Sequence, residues 1–398
     1  MIDIDLSTGS WTIFEVPPED TRLYLGGKGM VIKMLYDRLK PGTDVFGPEN
    51  ILAFHTGAYL GTGAPCSGKF SAGTRSPLTG IIATSSCGGP FGMALKTSGW
   101  DGMIIRGKAE KPVWLMISSA GVEFNDATSL SGTETDVVHE KLSGNGTGMI
   151  AIGPAGENLV RIANIRSGDR FLGRAGMGAV MGSKNLKAVV AKGKEYRIVP
   201  SDPDSFKKIR SAFLKDNGRN SFTGNLYRKY GTNSYVRLSQ SNGMLPVNNF
   251  TDGSHTDFDK ISGETFAEEF ISGYSTCKPC IILCGHRGKF KGEEMQVPEY
   301  ETTGMLGPNL GIFDPVHIAR WNRICSRMGF DTISAGSAIG WAMEGLQQRV
   351  VRFDLKFGAE PVSEALNDIG SGSWKLGELG NGVKWLSEKY GGRNLQSM

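Results

Sequence analysis

The sequence predicts an α+β protein: a β-rich amino-terminal domain over residues 1–200, followed by a mostly α-helical domain over residues 201–398. The first sign is a run of short apolar, β-like segments broken by Gly, Pro, Asn and Asp, which continues to about Gly193. Long segments of helical period replace it after Val199-Pro200-Ser201-Asp202-Pro203. A third sign is the glycine count of 56, about twice the usual share of roughly 7%. These glycines cluster between strand-like runs, where they allow tight turns or close approach to a ligand, and they form no linker or fibrous repeat.

In the first domain Ile51–Phe54, Gly102–Arg106, Val113–Ile117 and Ala188–Ala191 read as strands, and Gly29–Arg38 and Gly92–Ser98 as helices. In the second, Asp314-Pro315 is a helix start with Asp as N-cap and Pro at the first helical position. Val316, Ile324, Cys325 and Met328 share one face of that helix before Gly329 stops it. A further helix follows from Thr332 to about Gln348, and an amphipathic segment around Glu264–Ile271 precedes the cysteine run.

Several function classes are disfavoured. The net charge of +4 is scattered, without the basic arm that tracks a phosphate backbone, so nucleic acid is not an expected partner. No apolar run reaches the ~20 residues of a membrane span, and Met1-Ile2-Asp3-Ile4-Asp5 lacks a signal-peptide layout, so the expected compartment is the cytoplasm. Of six cysteines, three fall in Cys277-Lys278-Pro279-Cys280-Ile281-Ile282-Leu283-Cys284, a pattern for a metal site and not for a disulfide framework. Thiolates so spaced on a turn can converge on an iron–sulfur cluster, which needs a fourth ligand from Cys66, Cys87, Cys325, an exogenous group or a second polypeptide. Zinc with His286 as fourth ligand is the competing reading, and three adjacent cysteines without metal the bland one.

Glycine-rich runs supply candidate anion sites. Ser85-Ser86-Cys87-Gly88-Gly89-Pro90 leads into a helix, so backbone N–H groups there suit phosphate. In Gly173-Arg174-Ala175-Gly176-Met177-Gly178 the arginine can clamp a phosphate through two parallel hydrogen bonds, although no strand is expected to lead into it within a βαβ unit. Lys69 and Arg75 would add charge to such a pocket, against the commoner reading of solvated cations. Glu299 and Glu301, if extended, would face one cavity as a paired acid and base.

Taken in order, Leu25-Gly26-Gly27-Lys28-Gly29, Ser76-Pro77-Leu78-Thr79-Gly80, Gly99-Trp100-Asp101-Gly102, Ile152-Gly153-Pro154-Ala155-Gly156-Glu157-Asn158-Leu159 and the run Gly173–Lys187 resemble the aldehyde:ferredoxin oxidoreductase family over nearly the whole chain. The resemblance implies a β-rich base for a tungsten or molybdenum bis-pterin cofactor, covered by helical domains. It places Gly88 and Gly89 against pterin phosphates and Arg174, Ala175 and the adjoining Gly176 at the phosphate end. Magnesium would bind the carbonyls of Ser86 and Ala175, and Lys69 would stand where relatives carry arginine. Cys277, Cys280 and Cys284 would hold a [4Fe-4S] cluster that passes electrons to ferredoxin. Glu301 would be the carboxylate beside the metal during oxidation of an aldehyde to a carboxylic acid.

Three departures follow. Arg320-Trp321-Asn322-Arg323 stands where some members carry a Glu-x-x-His pair for an interface iron, so no such iron is expected. Ser326-Arg327-Met328-Gly329-Phe330-Asp331 resembles the family's pterin-binding Asp-x-x-Gly-Leu-Asp with Ser326 for its first aspartate, a weaker hydrogen-bonding partner for a pterin ring, and with Asp331 kept as the last. The chain ends at Asn394–Met398, where the resemblance implies a further domain with a second pterin motif and the fourth cluster cysteine; a second polypeptide that completes the site, a truncation or fragment, and a binding base kept for another use are the open readings.

Overall fold

The computed structural model describes residues 1–358, 361–373 and 376–392; Asn394–Met398 lie outside the described residues. The chain divides into two compact units, the first formed by residues 1–212 with Cys277–Cys280 and Arg327–Phe330, the second by the remainder. The boundary thus falls inside a helix, twelve residues beyond the break in sequence texture at residue 200.

Unit 1 holds two six-stranded sheets. Their strands are β1 (Ile2–Asp5), β2 (Ser10–Ile13), β3 (Leu52–Thr56), β4 (Phe70–Arg75), β5 (Ile82–Cys87), β6 (Gly102–Arg106), β7 (Val113–Ser118), β8 (Gly121–Asp126), β9 (Thr147–Ala151), β10 (Ile165–Ser167), β11 (Arg170–Leu172) and β12 (Leu186–Lys192). The first sheet runs β2-β1-β6-β3-β4-β5 and the second β11-β10-β9-β12-β7-β8. Both are mixed, with β1 parallel to β6 and β12 parallel to β7. Central strands such as β3, buried at every position, read as continuous apolar runs because both faces are covered. One core joins the sheets through Phe54, Phe70, Phe91, Leu115, Ile150 and Val189.

The helices that start in unit 1 are α1 (Pro18–Tyr24), α2 (Gly27–Arg38), α3 (Pro90–Thr97), α4 (Thr135–Leu142), α5 (Pro154–Glu157), α6 (Met177–Ser183) and α7 (Pro203–Arg219). Proline opens α3, α5 and α7, as expected for a residue that lacks the N–H left unpaired at a helix start. Predicted strands and helices in this half recur within a few residues of their expected bounds.

Helix α4 makes the fold acid-sensitive. The Nε2 atom of His139 is buried and has no partner among the described residues. Burial, and next the Arg166 cation, push its pKa down to about 4, against opposing pulls from Asp136 and Asp169. The folded state therefore keeps His139 neutral where the unfolded chain takes up a proton, and stability falls as pH drops from about 6.5 towards 4. This one group accounts for about 3 kcal/mol over that window at 1.36 kcal/mol per unit. Urea unfolding at pH 7 and pH 4.5 checks it: the midpoint should fall at the lower pH, and His139→Gln should narrow the difference. An unchanged difference would discard this account.

Unit 2 is mostly helical. The helices that start in it are α8 (Tyr227–Tyr230), α9 (Tyr235–Ser241), α10 (Gly263–Thr265), α11 (Tyr300–Leu306), α12 (Pro315–Met328), α13 (Thr332–Gln347), α14 (Val362–Ser371) and α15 (Val383–Tyr390). A three-stranded antiparallel sheet, β13 (Ile271–Tyr274), β14 (His286–Phe290) and β15 (Glu293–Gln296), accompanies them. Asp314 caps α12 as its sequence implied, with Oδ1 accepting from Val316 N at 2.7 Å, and Gly329 follows that helix at φ +82°. Among the described residues no helix is long and apolar enough to cross a membrane.

Candidate cofactor site

In unit 1 the loop between β3 and β4 is stitched onto the first part of the cysteine run. Cys66 N donates to Pro279 O at 2.7 Å, and Cys66 Sγ lies 3.9 Å from Cys280 Sγ. Gly68 lies so close to Lys278 that an added Cβ would come within 2.3 Å of its carbonyl oxygen. Cys280 N donates to Cys277 O at 2.8 Å, closing the turn that carries both thiols. Gly88 meets the same corner, since a Cβ there would reach 2.2 Å from Cys277 Sγ. Of the fourth ligands the sequence left open, Cys66 is therefore the one in sulfur contact with the run. Burial, then neighbouring Cys277, push the Cys87 thiol far up, and burial does the same for Cys325, so both are held as inert thiols.

The third thiol, Cys284, belongs to unit 2. Among the described residues no three His, Cys, Asp or Glu side chains stand together as a metal site. The donors at the corner are nonetheless all thiols on a tight turn, a set whose softness suits iron–sulfur chemistry. His286 is poorly placed to complete a zinc site: it is buried on β14, and its Nε2 is engaged with Arg228 O at 3.0 Å. Burial pushes its pKa down, against hydrogen bonds to the Arg228 and Cys284 carbonyls.

Strand register decides which cations share the glycine corner. Phe70 pairs with Cys87 and Arg75 with Ile82, so Lys69 falls beside Gly88 while Arg75 lies at the other end of β4. Six strand residues separate the two cations by about 20 Å, so they cannot flank one pocket as expected. Arg75 instead secures a turn, donating from Nε to Gly80 O at 2.9 Å and from Nη1 to Thr43 O. Lys69 is exposed at the glycine end. Ser86, on β5, shares a 2.7 Å hydroxyl contact with Ser71. Gly89 is the N-cap of α3 at φ +94°, a conformation that favours glycine; it lies against Ser167, whose Oγ accepts from Phe91 N in the first turn at 3.4 Å.

β11 leads into the arginine-bearing run, but it is antiparallel to β10, so no βαβ unit forms there, as the sequence implied. Arg174 is exposed between β11 and α6. Ala175 at φ +77° and Gly176 at φ +69° then make two successive left-handed residues. A non-glycine residue there costs about 1–3 kcal/mol and persists where the surroundings or a ligand demand it. Further along, Lys184 Nζ donates to Pro48 O at 3.2 Å and Gly107 O at 3.1 Å, and Lys187 Nζ to Thr133 O at 2.8 Å. These buried lysines are braces of the fold; burial pushes Lys184 down to about 8.

In unit 2 the carboxylate pair differs from its expected geometry. Glu299 is extended at the N-cap, but α11 begins at Tyr300, so Glu301 lies in the first helical turn and the two do not alternate along one strand. Glu301 is exposed. Nearby is an aromatic group that sequence reasoning missed: Tyr227 Oη and Tyr235 Oη are 2.7 Å apart, and the Tyr235 and Tyr300 rings lie 5.9 Å apart. The hydrogen bond to Tyr235, then burial, and after them the neighbouring acidic groups of Tyr235, Cys284 and Glu301, push the Tyr227 phenol up to about 12. A π-helical turn, Phe222–Leu226, precedes Tyr227, and such turns recur at functional sites; it shows only in the folded chain, and the sequence carries no signal for the group. Asp331 caps α13, its carboxylate accepting from Ile333 N at 3.2 Å and Ser334 N at 3.0 Å.

The fold and these motifs define a member of a known family. Family models of the aldehyde ferredoxin oxidoreductase N-terminal domain and of its domains 2 and 3 match residues 1–193 and 208–398, and the chain belongs to the aldehyde ferredoxin oxidoreductase family. It is 39% identical over 350 residues to the tungsten-containing aldehyde ferredoxin oxidoreductase of Pyrococcus furiosus, a match covering 86% of this chain and 58% of that protein. Its identity to the Pyrococcus horikoshii tungsten-containing enzyme is 34%, over 97% of this chain and 68% of that one. The solved active-site complex BamBC of benzoyl coenzyme A reductase with 1,5-dienoyl-CoA superposes with a TM-score of 0.86 at 27% identity, covering 99% of this chain and 63% of that chain. The chain therefore spans 58% to 68% of the length of these relatives.

Proposed function

We propose that this chain forms the cofactor-binding portion of an oxidoreductase that converts an aldehyde to a carboxylic acid at a tungsten or molybdenum bis-pterin centre, with ferredoxin as electron acceptor. The observation that carries the reading is the corner where Cys277 and Cys280 meet the Cys66 loop and Gly88. It joins thiols suited to an iron–sulfur cluster to a glycine-lined helix start suited to phosphate. When bound, the pterin-held metal supplies two-electron redox chemistry and the cluster single-electron steps.

Each residue then has a definite part. Cys277, Cys280 and Cys284 hold the [4Fe-4S] cluster. Lys69 and the N–H groups around Gly88 and Gly89 receive one pterin phosphate, and Arg174 with Ala175 and Gly176 the other, with magnesium on the Ser86 and Ala175 carbonyls. Asp331 both caps α13 and faces a pterin ring. Oxidation of an aldehyde with water to an acid releases two protons and two electrons, so a base must accept a proton during reaction. Glu301 is that base, exposed in the first turn of α11, where a negative side chain complements the helix dipole. The assignment of the compartment as cytoplasmic accompanies this reading.

Elemental analysis of the anaerobically purified chain tests it. Iron near four atoms per chain together with tungsten or molybdenum is expected, and Cys280→Ser should lose most of the iron. Zinc in place of iron, or iron unaffected by that substitution, would refute the cluster assignment.

A further inference from the structure

The geometry points to a groove in unit 1, between the Gly57–Lys69 loop and the start of α7, as the docking surface for a small acidic electron-carrier protein. This inference rests on the ferredoxin-linked reading above. The groove encloses about 400 Å³, and its lining includes Gly61, Gly63, Arg197, Phe206, Lys207 and Arg210 and no acidic residue. Arg210 is anchored, its Nε donating to Gly63 O at 3.1 Å. Arg197 and Lys207 are exposed and make no ion pair or hydrogen bond from their side chains among the described residues. Two unpaired cations in one lining, Arg197 before α7 and Lys207 on it, give the groove a positive field, which sets partner choice and association rate more than it adds affinity. The acidic residues at the helix start lie outside the lining, and Asp202 Oδ1 is turned to Ser205 N at 3.0 Å.

The walls are fixed before any partner arrives. Lys194 N donates to Thr97 Oγ1 at 2.9 Å and Tyr196 N to Thr97 O at 2.8 Å, which pins the segment that presents Arg197. Ile198 lies against Gly61, where a Cβ would come within 2.7 Å of Ile198 Cγ1 and φ is +88°. Val199 in the lining is 62% exposed, and Tyr59, Tyr196 and Ile209, each one or two residues from a lining residue in the chain, are 68%, 53% and 70% exposed. A small anion would need the cations alone; an apolar and aromatic rim around arginine is the make-up of a protein interface.

Position ties the surface to electron transfer. Gly63 lines the groove and Cys66 is three residues on, so their Cα atoms lie at most about 11 Å apart. Cys66 Sγ in turn touches Cys280 Sγ at 3.9 Å. A carrier seated in the groove thus brings its own centre next to the thiols assigned to the cluster.

The test is binding of the full chain to a small acidic two-[4Fe-4S] ferredoxin, followed by calorimetry at 20, 100 and 300 mM NaCl, conditions that shorten the screening length through roughly 10 Å. Expected are a Kd that rises with salt and at least a ten-fold weakening at 20 mM for Arg197→Glu with Lys207→Glu. Lys108→Glu with Lys141→Glu, the same change of net charge elsewhere on unit 1, should alter Kd less than two-fold, and Arg197→Gln with Lys207→Gln should fall between. Equal weakening by both glutamate pairs, or none by either, would overturn the docking surface. Ferredoxin that binds as described but is never reduced by any aldehyde would leave the surface standing and remove the proposed activity instead.

Discussion

Glu301→Gln is expected to lower aldehyde-dependent dye reduction by the metallated protein at least about 10²-fold, the lower range for loss of a general base. Glutamine keeps the length and hydrogen-bonding shape of glutamate but cannot accept the proton, so bound iron and tungsten or molybdenum should not change. Glu299→Gln is the informative comparison. Glu299 occupies the extended N-cap and Glu301 the first turn of α11, so a helix start separates their directions, and Glu299→Gln should cost less than about three-fold. Steady-state kcat and KM under anaerobic conditions, read beside metal content, decide the matter. Loss of activity that tracks loss of metal would make Glu301 a structural residue, and equal losses for both variants would return them to the paired arrangement that the sequence suggested.

That pair shows where sequence reasoning failed and why. Alternation along Val297-Pro298-Glu299-Tyr300-Glu301 assumes extended backbone throughout, yet Pro298 and an extended Glu299 are equally the lead-in to a helix, and α11 begins one residue later. Lys69 and Arg75 failed for a related reason. Both flank a glycine-containing segment, but that segment is β4, and a strand holds its ends apart by its own length. Local signals fared better. Asp314-Pro315 and Thr332–Gln348 gave helices within a residue of their bounds, because caps and periodicity are written in adjacent residues. The family membership was legible in the ordered glycine motifs, and the comparisons bear it out. The contact of Cys66 with Cys280 was not, since 214 residues separate them and only the folded chain brings the β3–β4 loop to that turn. Nor was the role of Lys184 and Lys187: the motif was visible, but sequence gives no hint that their buried ammonium groups serve the Pro48, Gly107 and Thr133 carbonyls and, for Lys187, the Glu157 carboxylate.

Gly182→Ala is expected to destabilise unit 1 by about 3 kcal/mol or more, at the upper end for overpacking a filled core. A Cβ at position 182 would come within 2.0 Å of Gly156 O and 2.5 Å of Gly156 C, both backbone atoms of α5 that cannot rotate away. Helix α6 has no room to retreat, because Met177, Ala179, Val180 and Met181 are fully buried on it. The strain must therefore part α5 from α6 or displace the left-handed turn at Ala175 and Gly176 that leads into α6, the same turn proposed to hold a pterin phosphate. Gly173→Ala, where a Cβ would meet nothing within 4 Å, should change stability by less than about 0.5 kcal/mol. Thermal unfolding separates the two: about 6–12 °C lost for the first at 2–4 °C per kcal/mol, and under 2 °C for the second. A Gly182→Ala protein that melts with the parent would mean that the two helices do not meet backbone to backbone, and the rigid support inferred for the phosphate turn would go with that contact.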